Sequence, residues 1–224
     1  MIIAIDGPSG AGKGTLARGL SEKYNFEFMD TGVLYRLVAW HMIQSEIDLN
    51  DAEKVCEVAC TINLDTSDLD PQIRSERVGN AASIIAKYGK LRDLLFHIQR
   101  NFALDNKDPR GVILDGRDIG TTICPDADIK FYILASVEVR AHRRLKELQE
   151  RGIKSIYSAV LQEIMERDLR DGQREVSPLA PASDAIVLDS SATSPEELLN
   201  LASSYVDDFL RSHPPVTTDQ ALDI

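Results

Sequence analysis

The chain has 224 residues, 43% of them hydrophobic and 27% charged, with a formal net charge of −11. That length buries one full core and fits a single α/β domain with small appended elements. No apolar run is long enough to cross a bilayer, and so acidic a balance excludes non-specific nucleic-acid binding.

Residues 2–6 form an apolar, β-branched run that reads as a first strand, not as a leader peptide, which makes the cytosol the expected compartment. Straight after it stands Gly7-Pro8-Ser9-Gly10-Ala11-Gly12-Lys13-Gly14-Thr15. Glycines let the backbone curl its N–H groups around an anion, and the helix that follows turns its positive end to the same place. Leu16, Leu20 and Tyr24 give that helix, residues 13–24, one apolar face. A strand–loop–helix of this kind is a phosphate cradle, with Lys13 as the point charge for the β- and γ-phosphates.

Residues 27–29 read as a short second strand that leads into Asp30-Thr31-Gly32, followed by a helix over 33–46. Asp51 caps a helix reaching residue 60. The stretch 62–79 is polar, holds Pro71 and shows little alternation. Helices are predicted over 80–87 and 90–104, and residues 106–111 carry turn chemistry. Asn106-Lys107-Asp108 resembles a GTPase base-recognition motif but has the wrong spacing, so it reads as a turn. Buried strands are predicted at 111–114 and 130–134, the first ending at Asp115. Helices over 137–151 and 157–171, a last strand at 185–188 and a helix over 195–211 with Pro195 in its first turn complete the pattern. Strands alternating with helices predict a parallel sheet covered on both faces. Residues 212–224, with two prolines and no basic residue, read as a disordered tail.

Cys56, Cys60 and Cys124 and four scattered histidines lack metal-ligand spacing. Cys56 and Cys60, one helical turn apart, are expected to face the core. Seven acids against one lysine between Asp48 and Asp70 read as a solvated face. Of the 25 basic residues, 16 are arginine, the side chain suited to a bidentate grip on phosphate.

Ligands of parallel sheets gather at the carboxyl ends of strands. Three such ends are polar here: the phosphate loop, Asp30 through Arg36, and Asp115-Gly116-Arg117-Asp118. Arg36 and Arg117 are candidates to hold a second phosphate facing the loop; the alternative for each is a surface salt bridge. Arg167, Arg170 and Arg174 recur at helical spacing, with Asp171 on the face of Arg167. They fit either intrahelical ion pairs or a phosphate lid or sugar clamp. Arg140, Arg143 and Arg144 leave the same choice open.

Together these segments resemble the bacterial cytidylate kinases. The resemblance rests on the Lys13-Gly14-Thr15 form of the loop, Asp30-Thr31-Gly32 followed by Tyr35-Arg36, and Asn80-Ala81-Ala82-Ser83 followed by Arg92. Asp115-Gly116-Arg117-Asp118-Ile119-Gly120 and Glu166-Arg167-Asp168 through Arg174 complete it. It covers about residues 1–211 in one order. It implies a P-loop kinase core with a parallel sheet flanked by helices, a monophosphate-binding region over about 33–104 and a helical lid over about 143–174. The implied reaction is ATP-dependent phosphorylation of CMP and dCMP in pyrimidine nucleotide metabolism, with Mg²⁺ and a monomeric enzyme.

Carried over by position, Ser83, Arg92 and Asp118 would read cytosine, and Arg36 and Arg117 would clamp the monophosphate. Arg167 and Asp171 would contact the ribose, with Thr31, Tyr35 and Asp115 also on the CMP side. Lys13, Arg117 and Arg174 would serve the transfer itself. ATP would rest on Gly7, Pro8, Ser9, Gly10, Ala11, Gly12, Lys13, Gly14 and Thr15, with Arg143 and Arg144 from the lid. Thr15 is the hydroxyl nearest the expected metal, and Asp115 would reach it through water. One departure stands out: family members carry a longer insert with a small hairpin before Asn80, so their closure is not carried over. A kinase with another acceptor, or a P-loop binding module without turnover, remain the competing readings at this point.

Overall fold

In the computed structural model, described here for residues 1–65, 70–105 and 110–214, five parallel strands make one sheet. They are β1 (Ile2–Asp6), β2 (Glu27–Asp30), β3 (Val112–Asp115), β4 (Ile129–Leu134) and β5 (Ile186–Asp189), in the order β2-β3-β1-β4-β5. β1 is central because its residues are apolar enough to be buried on both faces: Ile3, Ala4 and Ile5 are fully buried. The register pairs Ile5 with Asp115 and Asp30 with Asp115, so the carboxyl ends of β1, β2 and β3 lie side by side.

One face of the sheet is covered by α1 (Lys13–Tyr24) and α8 (Pro195–Ser212), through Leu16, Leu20, Leu198 and Val206. The other face receives α5 (Gly89–Leu104) and a π-helical turn, Ile119–Ile123. A second apolar cluster, separate from the sheet, joins α2 (Gly32–Gln44), α3 (Ala52–Thr61), α4 (Glu76–Ile85) and α5 through Leu34, Met42, Val55, Ile85 and Leu91. A third is small: α6 (Val137–Glu150) and α7 (Tyr157–Gly172) pack on each other through Ala141, Leu148, Val160 and Ile164. The P-loop kinase fold is thus a sheet core carrying two helical appendages at the carboxyl edge of its strands.

Several boundaries differ from the sequence reading for local reasons. The helix after β2 stops at Gln44, and Glu46 takes a left-handed φ of 53°. α4 starts at Glu76 rather than at residue 80, because Ser75 caps it by accepting from Val78 N at 3.4 Å. Asp70 and Pro71 open a 3₁₀ turn, Pro71–Arg74, in a stretch where no element was expected. α8 runs through Ser212, which moves that residue out of the expected tail. The rest of that tail from residue 215, and the Asn106-Lys107-Asp108 turn, lie outside the described residues. Asp51 does cap α3, accepting from Glu53 N and Lys54 N. Cys60, however, is exposed and Cys56 only half-buried. The apolar stripe of α3 runs through Val55 and Ala59 instead, one position off the cysteines.

Candidate active site

The loop after β1 is shaped by three glycines with positive φ: Gly7 at 141°, Gly10 at 79° and Gly12 at 96°. At Gly7 a Cβ would lie 2.2 Å from the Ile133 carbonyl oxygen, so only glycine lets the loop leave the sheet here. Outside the loop, two side chains brace it. Arg140 Nη1 donates both to the Ser9 carbonyl at 3.3 Å and to Asp168 Oδ1 at 3.0 Å, while Nη2 donates to Asp168 Oδ2 at 2.6 Å. Ser190 Oγ donates to the Ala11 carbonyl at 2.8 Å. Lys13 folds back over the loop: Nζ donates to Pro8 O at 3.0 Å and lies 3.9 Å from Asp115. The loop therefore encloses its own lysine, which is 6% exposed rather than open to solvent.

Facing Lys13 is a cleft of about 190 Å³ whose walls come from β2, α2, α4, β3 and α7. Seven basic side chains and four carboxylates line it. In a protein with a net charge of −11, this is a local excess of three positive charges, as a polyanion site requires.

Asp171 is the hub of the cleft at 1% exposure. It accepts from Ser83 Oγ at 2.9 Å, from Arg117 Nε at 3.2 Å and from Arg174 Nη2, with Arg167 Nε 3.9 Å away. Arg92 forms a second buried pair with Asp118; it also donates to Ala86 O at 3.2 Å, and its guanidinium sits 5.5 Å over the Tyr35 ring. Arg36 donates to Ile73 O and Ser75 O at 3.0 and 3.2 Å, and Gly79 leaves room for it. The Thr31 hydroxyl is spent internally, donating to the Asp115 carbonyl at 2.8 Å. Thr31 thereby fixes the turn between β2 and α2.

The electrostatics show a site built for a charge it does not itself supply. Burial, and then Arg117, lower the pKa of Lys13. Burial likewise raises that of Asp115, although Lys13 opposes it. Burial, then Arg117, disfavour the charge on Arg167. Burial raises Asp171 too, but Arg117, Arg174 and Arg167 together outweigh it and hold the carboxyl below its ordinary value. The Nε atoms of Arg92, Arg167 and Arg174 are buried without a hydrogen-bond partner among the described residues. Buried unpaired donors are costly, and three of them in one cleft point to an anionic ligand.

A larger groove of about 1250 Å³ lies behind α4, lined among others by Ile47, Leu49, Ile84, Tyr88 and Arg170. It contains neither Lys13 nor Asp115, so its size does not make it the site of phosphate chemistry.

The structure gathers in this cleft Ser9, Gly10, Lys13, Thr31, Tyr35, Arg36, Ser83, Arg92, Asp115, Arg117, Asp118, Arg167, Asp171 and Arg174. Some expected residues stand elsewhere. Thr15 is exposed on the outer side of α1 and does not line the cleft, because the extra Gly14 shifts the hydroxyl by one position around the helix. Arg143 turns away to Ser190, donating to its hydroxyl at 3.0 Å and its carbonyl at 2.5 Å. Arg144 lies on the neighbouring rim with Ser9 and Gly10, paired to Glu76 of α4 and to Glu147. Asp118 pairs with Arg92 through Oδ2, while its Oδ1 makes no hydrogen bond among the described residues. Sequence reasoning missed Asp6 and Ser190 as parts of the site, and named Asp30 and Asp168 only within motifs, without a role of their own. Asp6 ends β1 where the phosphate loop begins, and that position was the signal available for it.

The cytidylate kinase family model matches residues 3–208. Cytidylate kinases of Rhodopseudomonas palustris, Bartonella tribocorum and Yersinia enterocolitica are 48%, 43% and 39% identical. The matches cover 85%, 95% and 93% of this chain and 88%, 97% and 95% of those proteins. Among solved structures, an uncharacterized protein from Eubacterium ventriosum aligns with a TM-score of 0.54 at 14% identity, over 92% of this chain and 98% of that one. A sugar kinase from Janibacter aligns at 0.51 and 16%, over 92% and 94%; at such identities the two bear on the fold alone. With a family model spanning nearly the whole sheet and both appendages, and relatives this similar over nearly their full length, the chain belongs to the cytidylate kinase family.

Proposed function

We propose that this chain transfers the γ-phosphoryl group of ATP to CMP and dCMP, giving ADP and the diphosphates. The observation that carries the proposal is the single cleft that brings Lys13 together with Arg117, Arg167 and Arg174, with the buried Arg92–Asp118 pair in its wall.

ATP lies on the phosphate loop, held by its backbone N–H groups and the N-terminus of α1. The monophosphate lies against Arg36 and Arg117, its ribose near Arg167 and Asp171, and its base between Ser83, Arg92 and Asp118. An oxygen of the acceptor phosphate attacks the γ-phosphorus in line, the bond to the β-bridging oxygen breaks, and ADP leaves. That nucleophile is already ionised at neutral pH, so no general base is required. Catalysis is alignment and charge neutralisation. Lys13, Arg117 and Arg174 stabilise the transferring group, and the unpaired Nε atoms of Arg167 and Arg174 are donors for it.

The donor set fits Mg²⁺. Asp115 and Asp30 place hard carboxylate oxygens side by side at the strand ends, and Gly14 leaves Asp115 room: a Cβ there would lie 3.3 Å from its Oδ2. Bound there with ATP, the ion would neutralise phosphate charge, with Asp115 as its holder through water. Thr15, exposed on α1, is not needed for this role.

No helix of the described residues is long and apolar enough to cross a membrane, and the reading is of a monomeric cytoplasmic enzyme whose partners are nucleotides. A coupled assay of ADP release over all the nucleoside monophosphates tests it. CMP and dCMP should give the highest kcat/KM; a higher value for AMP, UMP or a sugar alcohol would refute the assignment.

A further inference from the structure

Asp6 has no part in the reaction as described, yet it stands between the two halves of the site. It ends β1 and is 4% exposed. Oδ1 accepts from Ile119 N at 2.8 Å and Oδ2 from Gly120 N at 2.7 Å. These are the first two N–H groups of the π-helical turn, donors that the turn itself cannot satisfy. The bonds within the turn, from Thr122 N and Ile123 N to Asp118 O and from Cys124 N to Ile119 O, shape it without tying it to β1. Just before the turn, Gly116 N donates to Ile5 O of β1 at 2.9 Å, and Asp6 extends that tie to the turn itself. The residue after Asp6 is Gly7, where the phosphate loop begins; the two residues before the tethered turn are Arg117 and Asp118.

We propose that Asp6 is a positioning residue for phosphoryl transfer: its carboxylate sets where Arg117 and Asp118, and hence the acceptor phosphate, stand relative to the ATP-binding loop. Both of its oxygens are used, one per N–H, and both contacts are short. Keeping the group buried has a cost, since desolvation raises its pKa to about 7 against the help of the two N–H donors. Transfer between two bound phosphates is sensitive to alignment: a misplacement of about 1 Å costs on the order of a hundredfold in rate.

The inference rests on the proposed kinase activity, so wild-type turnover of CMP is measured in the same experiment. In Asp6→Asn the amide keeps one acceptor and turns an N–H₂ group toward the other backbone N–H. At a temperature where circular dichroism shows the variant folded, kcat should fall about 10- to 100-fold. KM for CMP should rise at least threefold, and the calorimetric Kd for ATP should stay within twofold of wild type. A purely structural role would lower Tm and leave kcat and KM per folded molecule unchanged, which would overturn the proposal.

Gly120→Ala is the second variant. Its Cβ would sit 3.4 Å from Asp6 Oδ2 and 3.2 Å from Lys130 Cδ, crowding the same contact without changing charge. It should move kcat and KM for CMP in the same directions by a smaller factor, and it keeps the test open if Asp6→Asn does not fold; wild-type constants in Gly120→Ala refute the role. An inactive wild type would refute the kinase reading and this inference together, whereas an active wild type with unaltered variants overturns the inference alone.

Discussion

Replacing Asp118 with asparagine separates reading of the base from support of the arginine. The carboxylate and Arg92 are each 7% exposed and form an ion pair through Oδ2. Oδ1 is left to accept from a ligand. Cytosine offers an amine at the position where uracil has an oxygen, and a carboxylate can only accept, so it favours the former and repels the latter. One such contact is worth roughly 1–3 kcal/mol of discrimination. In Asp118→Asn the amide still accepts from Arg92, so the pair weakens without vanishing, and its N–H₂ can donate to the uracil oxygen. The ratio of kcat/KM for CMP over UMP should fall at least about tenfold, equivalent to about 1.4 kcal/mol. Removing one charge of a buried pair costs up to about 3–5 kcal/mol when the partner is left bare. The retained hydrogen bond puts the expected loss of stability below that range. Steady-state kinetics with both acceptors, at a temperature where the variant is folded, read the ratio directly. If both substrates suffer equally and the ratio is unchanged, Asp118 acts only by orienting Arg92, and the argument for direct readout fails.

Lys13→Ala should remove turnover, since one key electrostatic donor contributes about 3–4 kcal/mol to the transition state; a variant keeping more than a tenth of wild-type kcat would exclude Lys13 from the mechanism. Because this lysine is buried against Pro8 O, the variant should also show a measurable change in Tm. Asp171→Ala strands Arg117, Arg167 and Arg174, so its Tm should drop by the equivalent of about 3–5 kcal/mol, and kcat/KM for CMP and dCMP should fall while binding of ATP alone is spared. Weakened ATP binding with intact CMP kinetics would move the cluster to the ATP side. Asp171 is held below its unfolded pKa, so its ionisation stabilises the fold above about pH 4 and that stabilisation is lost as the pH falls through the lower folded value. Asp171→Asn should accordingly flatten the acid limb of a Tm-versus-pH curve, and an unchanged limb would count against the hub. In Gly79→Ala the new Cβ would sit 2.8 Å from Arg36 Nη2, inside a helix where alanine gains about 0.5–1 kcal/mol over glycine. KM for CMP should rise severalfold with Tm steady or higher; a KM equal to wild type would place the monophosphate away from Arg36.

Much of the molecule is local enough to be legible in the chain itself. The phosphate loop needs only a β-branched run, spaced glycines and an amphipathic helix in sequence, and all three lie within residues 2–24. The strand ends Asp30 and Asp115 could be named because buried runs stop there, and the ordered motifs from Gly7 to Arg174 carry the family. Tertiary structure decided what those side chains do. Ser83 meets Asp171 across 88 positions and Asp6 meets Gly120 across 114, separations on which no helical or strand period bears. Arg143 and Arg144 are equivalent as letters, but adjacent residues on a helix point about 100° apart. One therefore braces the loop after β5 while the other meets Glu76. The π-helical turn is invisible for the same reason: its first two N–H groups are satisfied by a carboxylate from another strand, not by anything nearby in sequence. The burial of Lys13 also follows from folding alone, since the walls that enclose it are assembled from strands and helices up to 158 residues away, at Asp171.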